Sequence, residues 1–268
     1  MVDLPDGNPI LLGWRIVAEC CAIRRGMDQV TKPTVIITGA SSGIGLGLTE
    51  GFLREGYRVV ANARSARNAG TLRESAELVV VDGDVALPET GERLTQVAME
   101  RFGRVDVLIN NAGIFVPKAF TEYTKEEFER VVGTNLTGFF YVTQPALRQM
   151  VKQGRGHVLT ISTTLVEQPV AGVNAGLTSL TKGGLNGVTR ELAIEYAGAG
   201  VRVNAIAAGI IDTPMHAPEQ HEFLKGLHPI RRLGRVEEIV DAALYLTKAE
   251  FVSGELLHVD GGAHAGKW

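Results

Sequence analysis

Val35-Ile36-Ile37-Thr38-Gly39-Ala40-Ser41-Ser42-Gly43-Ile44-Gly45 runs on into Leu46-Gly47-Leu48-Thr49-Glu50-Gly51-Phe52, and this stretch decides the fold. The short run rich in Val and Ile predicts a buried strand, and the spacing of Ile44, Leu48 and Phe52 predicts a helix. Between them, glycines stand where a diphosphate needs them. Gly39 lets the chain turn sharply, Gly43 lets backbone approach a pyrophosphate, and Gly45 lets the helix pack closely on the strand. The N–H groups that open the helix have no intrahelical partner, and the helix dipole favours an anion there. The turn therefore nominates Gly39, Ser41, Ser42, Gly43, Ile44 and Gly45 as the cradle of a dinucleotide.

Outward from this turn the same alternation continues. Val- and Ile-rich runs predict strands at 35–38, 58–62, 78–82, 105–110, 157–162, 202–207 and 256–259, with helical periods at 43–55, 89–101, 126–149, 177–196 and 236–246. That is the pattern of right-handed βαβ units around a parallel sheet, a Rossmann-type doubly wound α/β fold in one domain from 32 to 268. No linker or repeat interrupts it. The longest stretch without a strand, 209–235, predicts short helices over the site, a substrate lid.

Strand ends supply the rest of the nucleotide site. The second ends Ala61-Asn62-Ala63-Arg64, where a fold that takes NAD(H) presents an acid to the ribose 2′-hydroxyl. Arg64 instead offers a guanidinium to a 2′-phosphate, with Ser65 or Arg67 to assist, so NADP(H) is expected over NAD(H). Asp84 and Val85 follow the third strand, Asp84 to accept from the adenine amino group and Val85 to cover the ring, although a turn aspartate is the plainer reading. Asn110-Asn111-Ala112-Gly113 ends the fourth strand in small residues, which lets backbone pass against the adenine ribose.

These motifs, with Asn135, Lys182, Arg202-Val203-Asn204 and Val259-Asp260-Gly261-Gly262, resemble those of the short-chain dehydrogenase/reductase family from about residue 34 to residue 262. The resemblance implies a seven-stranded sheet, hydride transfer between a nicotinamide and a carbonyl or alcohol, and a homo-oligomer, frequently a tetramer built on two long central helices. It also implies a serine at the end of the fifth strand and a Tyr-x-x-x-Lys motif opening the next helix. This chain departs from that pattern. It reads Ile161-Ser162-Thr163-Thr164 and then Thr178-Ser179-Leu180-Thr181-Lys182, so threonine stands in the tyrosine position after a slightly longer interval.

By the same resemblance Lys182 holds the nicotinamide ribose and joins a proton relay with Asn135 through water. Thr163 takes the serine role, with Thr164 or Ser162 as second choices, and Gly209, Ile211 and Thr213 lie beside the nicotinamide. A phenol with a pKa of about 10 can be lowered by an adjacent ammonium until it exchanges a proton near neutrality, and an aliphatic hydroxyl cannot. Thr178, one turn from Lys182 on the same face, can polarise a carbonyl without being a good acid. His216 is a substitute acid because imidazole titrates near working pH; Tyr123 and Glu167 are lesser candidates. Phe139, Phe140 and Tyr141 read as helix packing or a subunit contact.

Composition bounds the partners. Hydrophobic residues make up 45% and charged residues 21% of 268, ordinary globular usage, and a net charge of -3 supplies no field to gather nucleic acid or anionic lipid. No nucleic acid, membrane or metal is expected. Cys20 and Cys21 are the only cysteines and adjoin, which is neither a disulfide framework nor a metal spacing and fits a reducing cytoplasm. Residues 1–31 read as an extension, disordered or a gene-start error with translation from Met27; the apolar run 10–22 is too short and too charged to span a bilayer.

The function expected is an NADP(H)-dependent oxidoreductase acting on a small or medium carbonyl or alcohol. The alternative is an NADP(H)-binding protein without dehydrogenase activity, a sensor or inactive partner subunit. A third reading keeps the fold for dehydration or isomerisation, with His216 as the acid.

Overall fold

Seven parallel strands in the order β3-β2-β1-β4-β5-β6-β7 form the sheet of the computed structural model, which describes residues 32–65 and 70–267. The expectations for residues 1–31 and for Arg67 lie outside the described residues. The strands are β1 (Thr34–Thr38), β2 (Arg58–Ala63), β3 (Leu78–Asp82), β4 (Val107–Asn110), β5 (Gly156–Thr163), β6 (Val201–Ala208) and β7 (Leu256–Val259). The sheet is covered on both faces, so its strands carry apolar residues in sequence rather than in alternation. All five residues of β1 are buried. Val35 and Ile37 pack with Leu48 and Phe52 of α1 (Gly43–Arg54) and with Ile239 and Leu246 of α7 (Val236–Lys248). Ile36, on the opposite face, packs with Leu94 and Phe102 of α2 (Pro88–Phe102) and Val142 and Met150 of α4 (Gly138–Gln153). Each such side chain contributes about 1.5–3 kcal/mol by leaving water.

One expected helix, 126–149, divides. It comprises α3 (Lys125–Val132), a π-helical turn at Gly133–Thr137, and α4. α3 starts well, because the Thr124 side chain accepts from the Glu127 N–H while Glu127 accepts from the Thr124 N–H, a capping box. The wide turn that follows is where Asn135 turns inward, only 1% exposed. α5 (Gly176–Glu195) crosses back between β5 and β6. After β6 the chain runs through a 3-10 turn at Pro218–Gln220 and the short α6 (His221–Lys225) before α7. This segment is pinned at its root by Asp212 N–H to Gly234 O at 2.8 Å and by Ile210 N–H to His228 Nε2 at 3.0 Å.

Candidate active site

The carboxyl ends of β1, β4, β5 and β6 open on one cleft of about 1170 Å³, lined by the glycine turn, the strand-end residues and the segment after β6. A shared site for a dinucleotide and a second small molecule needs at least the roughly 300–1,000 Å³ usual for one ligand.

The residues present fit a dinucleotide. Ser42 occupies the N-cap of α1 in extended backbone, its side chain makes no capping bond, and no acid stands in the first turn. The protein thus leaves the amides of this helix end unfilled, which is what an anion requires. Gly39 has φ +65°, and a methyl there would press on Ala112 Cα at 2.9 Å. At Gly45 a methyl would overlap the Gly39 carbonyl oxygen itself. Gly43, at φ +51°, faces Thr213 of the segment after β6. Ser41 and Ile44 complete the turn along the cleft.

At the end of β2 Arg64 is exposed along the cleft wall, beside Ser65. Val85 is 6% exposed and lines the same cleft. Asp84 lines the cleft too, but one carboxylate oxygen accepts from the Ala86 N–H at 2.9 Å, so it also closes its own turn. Asn111 performs a structural task that its motif did not announce. Its side chain donates to Thr38 O at 2.9 Å and Gly39 O at 3.2 Å, tying β4 to the glycine turn. Thr38 completes the stitch, its Oγ1 accepting from the N–H groups of Asn111 and Ala112 at 3.1 and 3.0 Å. Thr38 heads the glycine motif, a hydroxyl at the last position before the turn. Ala112 and Gly113 continue the wall, and a methyl on Gly113 would stand 3.1 Å from the Lys182 ammonium.

Lys182 is the charged group on the cleft floor. Its Nζ donates to Ile161 O at 2.7 Å, and burial lowers its pKa from 10.5 to about 8 because the charged form is poorly solvated there. Asn135 lies nearby but its side chain is fully committed. It accepts from the Ile114 N–H at 2.9 Å and donates to Ile114 O and Thr181 Oγ1, each at 3.1 Å. Asn135 therefore braces the loop after β4 and the base of α5.

The three hydroxyls at the end of β5 are sorted by their partners. Ser162 donates to Asn186 Oδ1 at 2.5 Å and Thr164 to Asp260 Oδ2 at 2.7 Å, both buried, so the protons of both second choices are committed, although Ser162 lines the cleft and Thr164 does not. Asp260 stays ionised below its usual range: burial pushes it up, and the bonds from Thr164 and His264 outweigh that. Thr163 lines the cleft, with its oxygen accepting from the Leu165 N–H at 3.3 Å, and keeps its own proton to give. Thr178 also lines the cleft, and its Oγ1 is buried with no partner. A buried hydroxyl left unmatched costs about 1–3 kcal/mol.

Gly209 and Ile211 line the cleft beside Thr213. Gly209 cannot carry a side chain, since a methyl would meet Asp260 Cα at 2.8 Å. His216 faces the cleft as well; burial, then the neighbouring His221, lowers its pKa, so it stands mostly neutral at pH 7 and is a poor store of protons. Tyr123 donates to Val116 O at 2.6 Å and Glu167 pairs with His258 Nε2 at 2.9 Å. Neither lines the cleft. Among the described residues no cluster of His, Cys, Asp or Glu is arranged to hold a metal, and no helix is long and apolar enough to cross a membrane.

A family model described as enoyl-(acyl carrier protein) reductase matches residues 39–264. Granaticin polyketide synthase putative ketoacyl reductase 2 of Streptomyces violaceoruber is 36% identical over 248 residues, covering 88% of this chain and 98% of that protein. Among solved structures, a 3-ketoacyl-(acyl-carrier-protein) reductase of Brucella melitensis complexed with NADH superposes with a TM-score of 0.80 at 29% identity, covering 87% of this chain and 98% of the other. A Tyr-to-Phe variant of ElxO with NADPH bound gives 0.81 at 28%, covering 88% and 100%. A match of this length, on a seven-stranded parallel sheet with the glycine turn at the end of β1, means that the chain belongs to the short-chain dehydrogenase/reductase family.

Proposed function

We propose that the protein is an NADP(H)-dependent oxidoreductase that interconverts a small or medium carbonyl compound and its alcohol. The observation that carries this reading is that Thr163, Thr178 and Lys182 all line one cleft, Lys182 one helical turn from Thr178, whose buried hydroxyl has no protein partner. Similar proteins hold nicotinamide nucleotides, and the uncapped start of α1 suits the diphosphate of one. The preference for NADP(H) rests on Arg64, exposed at the end of β2, a strand whose own sequence carries no acid.

When bound, the nicotinamide supplies a hydride to the carbonyl carbon or takes one from the carbinol. The chain's own residues handle the oxygen. Thr163 and Thr178 donate hydrogen bonds to it, drawing electron density away from the carbon. Lys182 holds the ribose with the N–H groups that Ile161 leaves free, and with a pKa of about 8 it can replenish or accept the matching proton near neutrality. Asn135 fixes α5 and the loop after β4 against one another. We further assign a reducing cytoplasm as its compartment and a homo-oligomer as its working form, because Phe140 and Leu180 are each 55% exposed and Ile194 81% on the long helices α4 and α5.

A second reading is favoured by the aliphatic hydroxyl of Thr178 itself: the site binds NADP(H) and does no chemistry. One experiment separates the two. Consumption of NADPH and of NADH is followed with a panel of aldehydes and ketones, alongside nucleotide binding by fluorescence. Turnover with NADPH preferred supports the first reading; tight NADPH binding with every carbonyl silent supports the second.

A further inference from the structure

The large side chains at the substrate end of the cleft, beyond Thr178 and Lys182, are apolar, with Asn174, His216, Glu219 and Gln220 as the polar residues among them. Phe115 and Leu165 come from the loops after β4 and β5, and Met215, Phe223, Leu224 and Leu227 from the segment after β6. Met215 and Phe223 are 60% and 59% exposed while lining the cleft. Large apolar groups held in water at a binding cleft gain by covering an apolar ligand and gain nothing from a hydrated one.

Charge at this end points the same way. The only cations among the described cleft-lining residues are Arg64, at the adenosine end, and Lys182 on the floor. Those that flank the mouth are occupied: Lys118 by both carboxylate oxygens of Glu127 at 2.9 Å, and Lys225 by Glu222 at 2.6 Å. Glu219, on the lining itself, repels an anion, and His216 is held mostly neutral by burial and by His221. Beyond Lys182, a phosphate or carboxylate would be desolvated against Met215 and Phe223 with no lysine or arginine of the lining there to meet it.

We infer that the substrate is a neutral, predominantly apolar ketone or the corresponding secondary alcohol, gripped by Met215 and Phe223 from the segment after β6, and not a phosphorylated, carboxylated or sugar compound. This rests on the carbonyl–alcohol reading of the same site.

Binding tests it without requiring turnover. The full chain saturated with NADP⁺ is titrated by ligand-observed NMR with menthone and decalone, and with pyruvate, dihydroxyacetone phosphate and D-glucose. The expected result is affinity for the two apolar ketones at least about tenfold above the other three, the scale that burial of a few methylenes provides. Phe223→Ser and Met215→Ser each weaken menthone about tenfold by the same reasoning, and because both side chains are already exposed the variants fold normally, with NADPH affinity within about twofold. Binding of an anion or of glucose as tight as menthone overturns the inference, as does failure of both ketones to bind or an unchanged menthone affinity in both variants. The two readings fail separately. Menthone bound but never reduced leaves the specificity and removes the hydride-transfer function; reduction of pyruvate or glucose but not menthone does the reverse.

Discussion

Lys182 keeps its ammonium where charge is expensive, and that has a consequence for stability as well as for chemistry. Its folded pKa of about 8 lies below the ordinary 10.5, a difference equivalent to about 3 kcal/mol. An unfolded chain therefore holds this proton more tightly than the folded one, so the lysine's penalty is complete below about pH 8 and fades as pH rises to 10.5. Lys182→Met should raise the unfolding free energy near neutral pH by a net of about 2 kcal/mol, and the thermal midpoint with it, since Ile161 O loses a partner worth about 1 kcal/mol, while abolishing turnover. Melting curves of both proteins across pH check this; a variant that is less stable at neutral pH contradicts it. Thr178→Val makes the complementary case. The hydroxyl has no partner, so removing it should leave stability unchanged or raise it by about 1 kcal/mol, and kcat should fall about 10–100-fold through loss of one donor to the carbonyl oxygen. Loss of stability with kcat intact would mean the hydroxyl serves the fold alone.

At the scale of elements, the site depends on how closely α1 can sit against the end of β1. Gly45 touches the Gly39 carbonyl and the Asn111 side chain that stitches β4 to the turn, so Gly45→Ala forces backbone apart rather than a flexible side chain. We expect it to cost about 3 kcal/mol and to weaken NADPH binding beyond about 100-fold, both readable in a thermal melt and a nucleotide titration. An alanine variant that binds NADPH normally would show that the turn has slack. The π-helical turn between α3 and α4 works in the same local way: one wide turn aims Asn135 at Ile114 and Thr181.

For the whole molecule, the relevant surface is the outer side of α4 and α5. Phe140, Leu180 and Ile194 are large, apolar and exposed there, a pattern that water disfavours unless another copy covers it. Light scattering on the purified protein should give a mass of two or four chains, and Phe140→Asp combined with Ile194→Asp should shift it to one without lowering the melting temperature of the monomer by more than about 5 °C. A wild-type monomer at micromolar concentration contradicts this.

The architecture was legible from residues 33 onward because its signals are local. Runs of Val and Ile, helical spacing and glycine at the turn each act within a few positions, so strand count, sheet class and the position of the glycine turn follow from sequence. The helix at 126–149 read as continuous because a π turn leaves no mark on apolar periodicity. What the sequence could not settle was which of several similar groups is free. Ser162, Thr163 and Thr164 are three adjacent hydroxyls, and only their distant partners, Asn186 for the first and Asp260 for the last, leave Thr163 as the one with an uncommitted proton. Likewise the depressed pKa of Lys182, the unanswered hydroxyl of Thr178 and the apolar wall drawn from three separate loops arise from contacts between residues far apart in the chain, and burial and hydrogen bonding are properties of the folded arrangement alone.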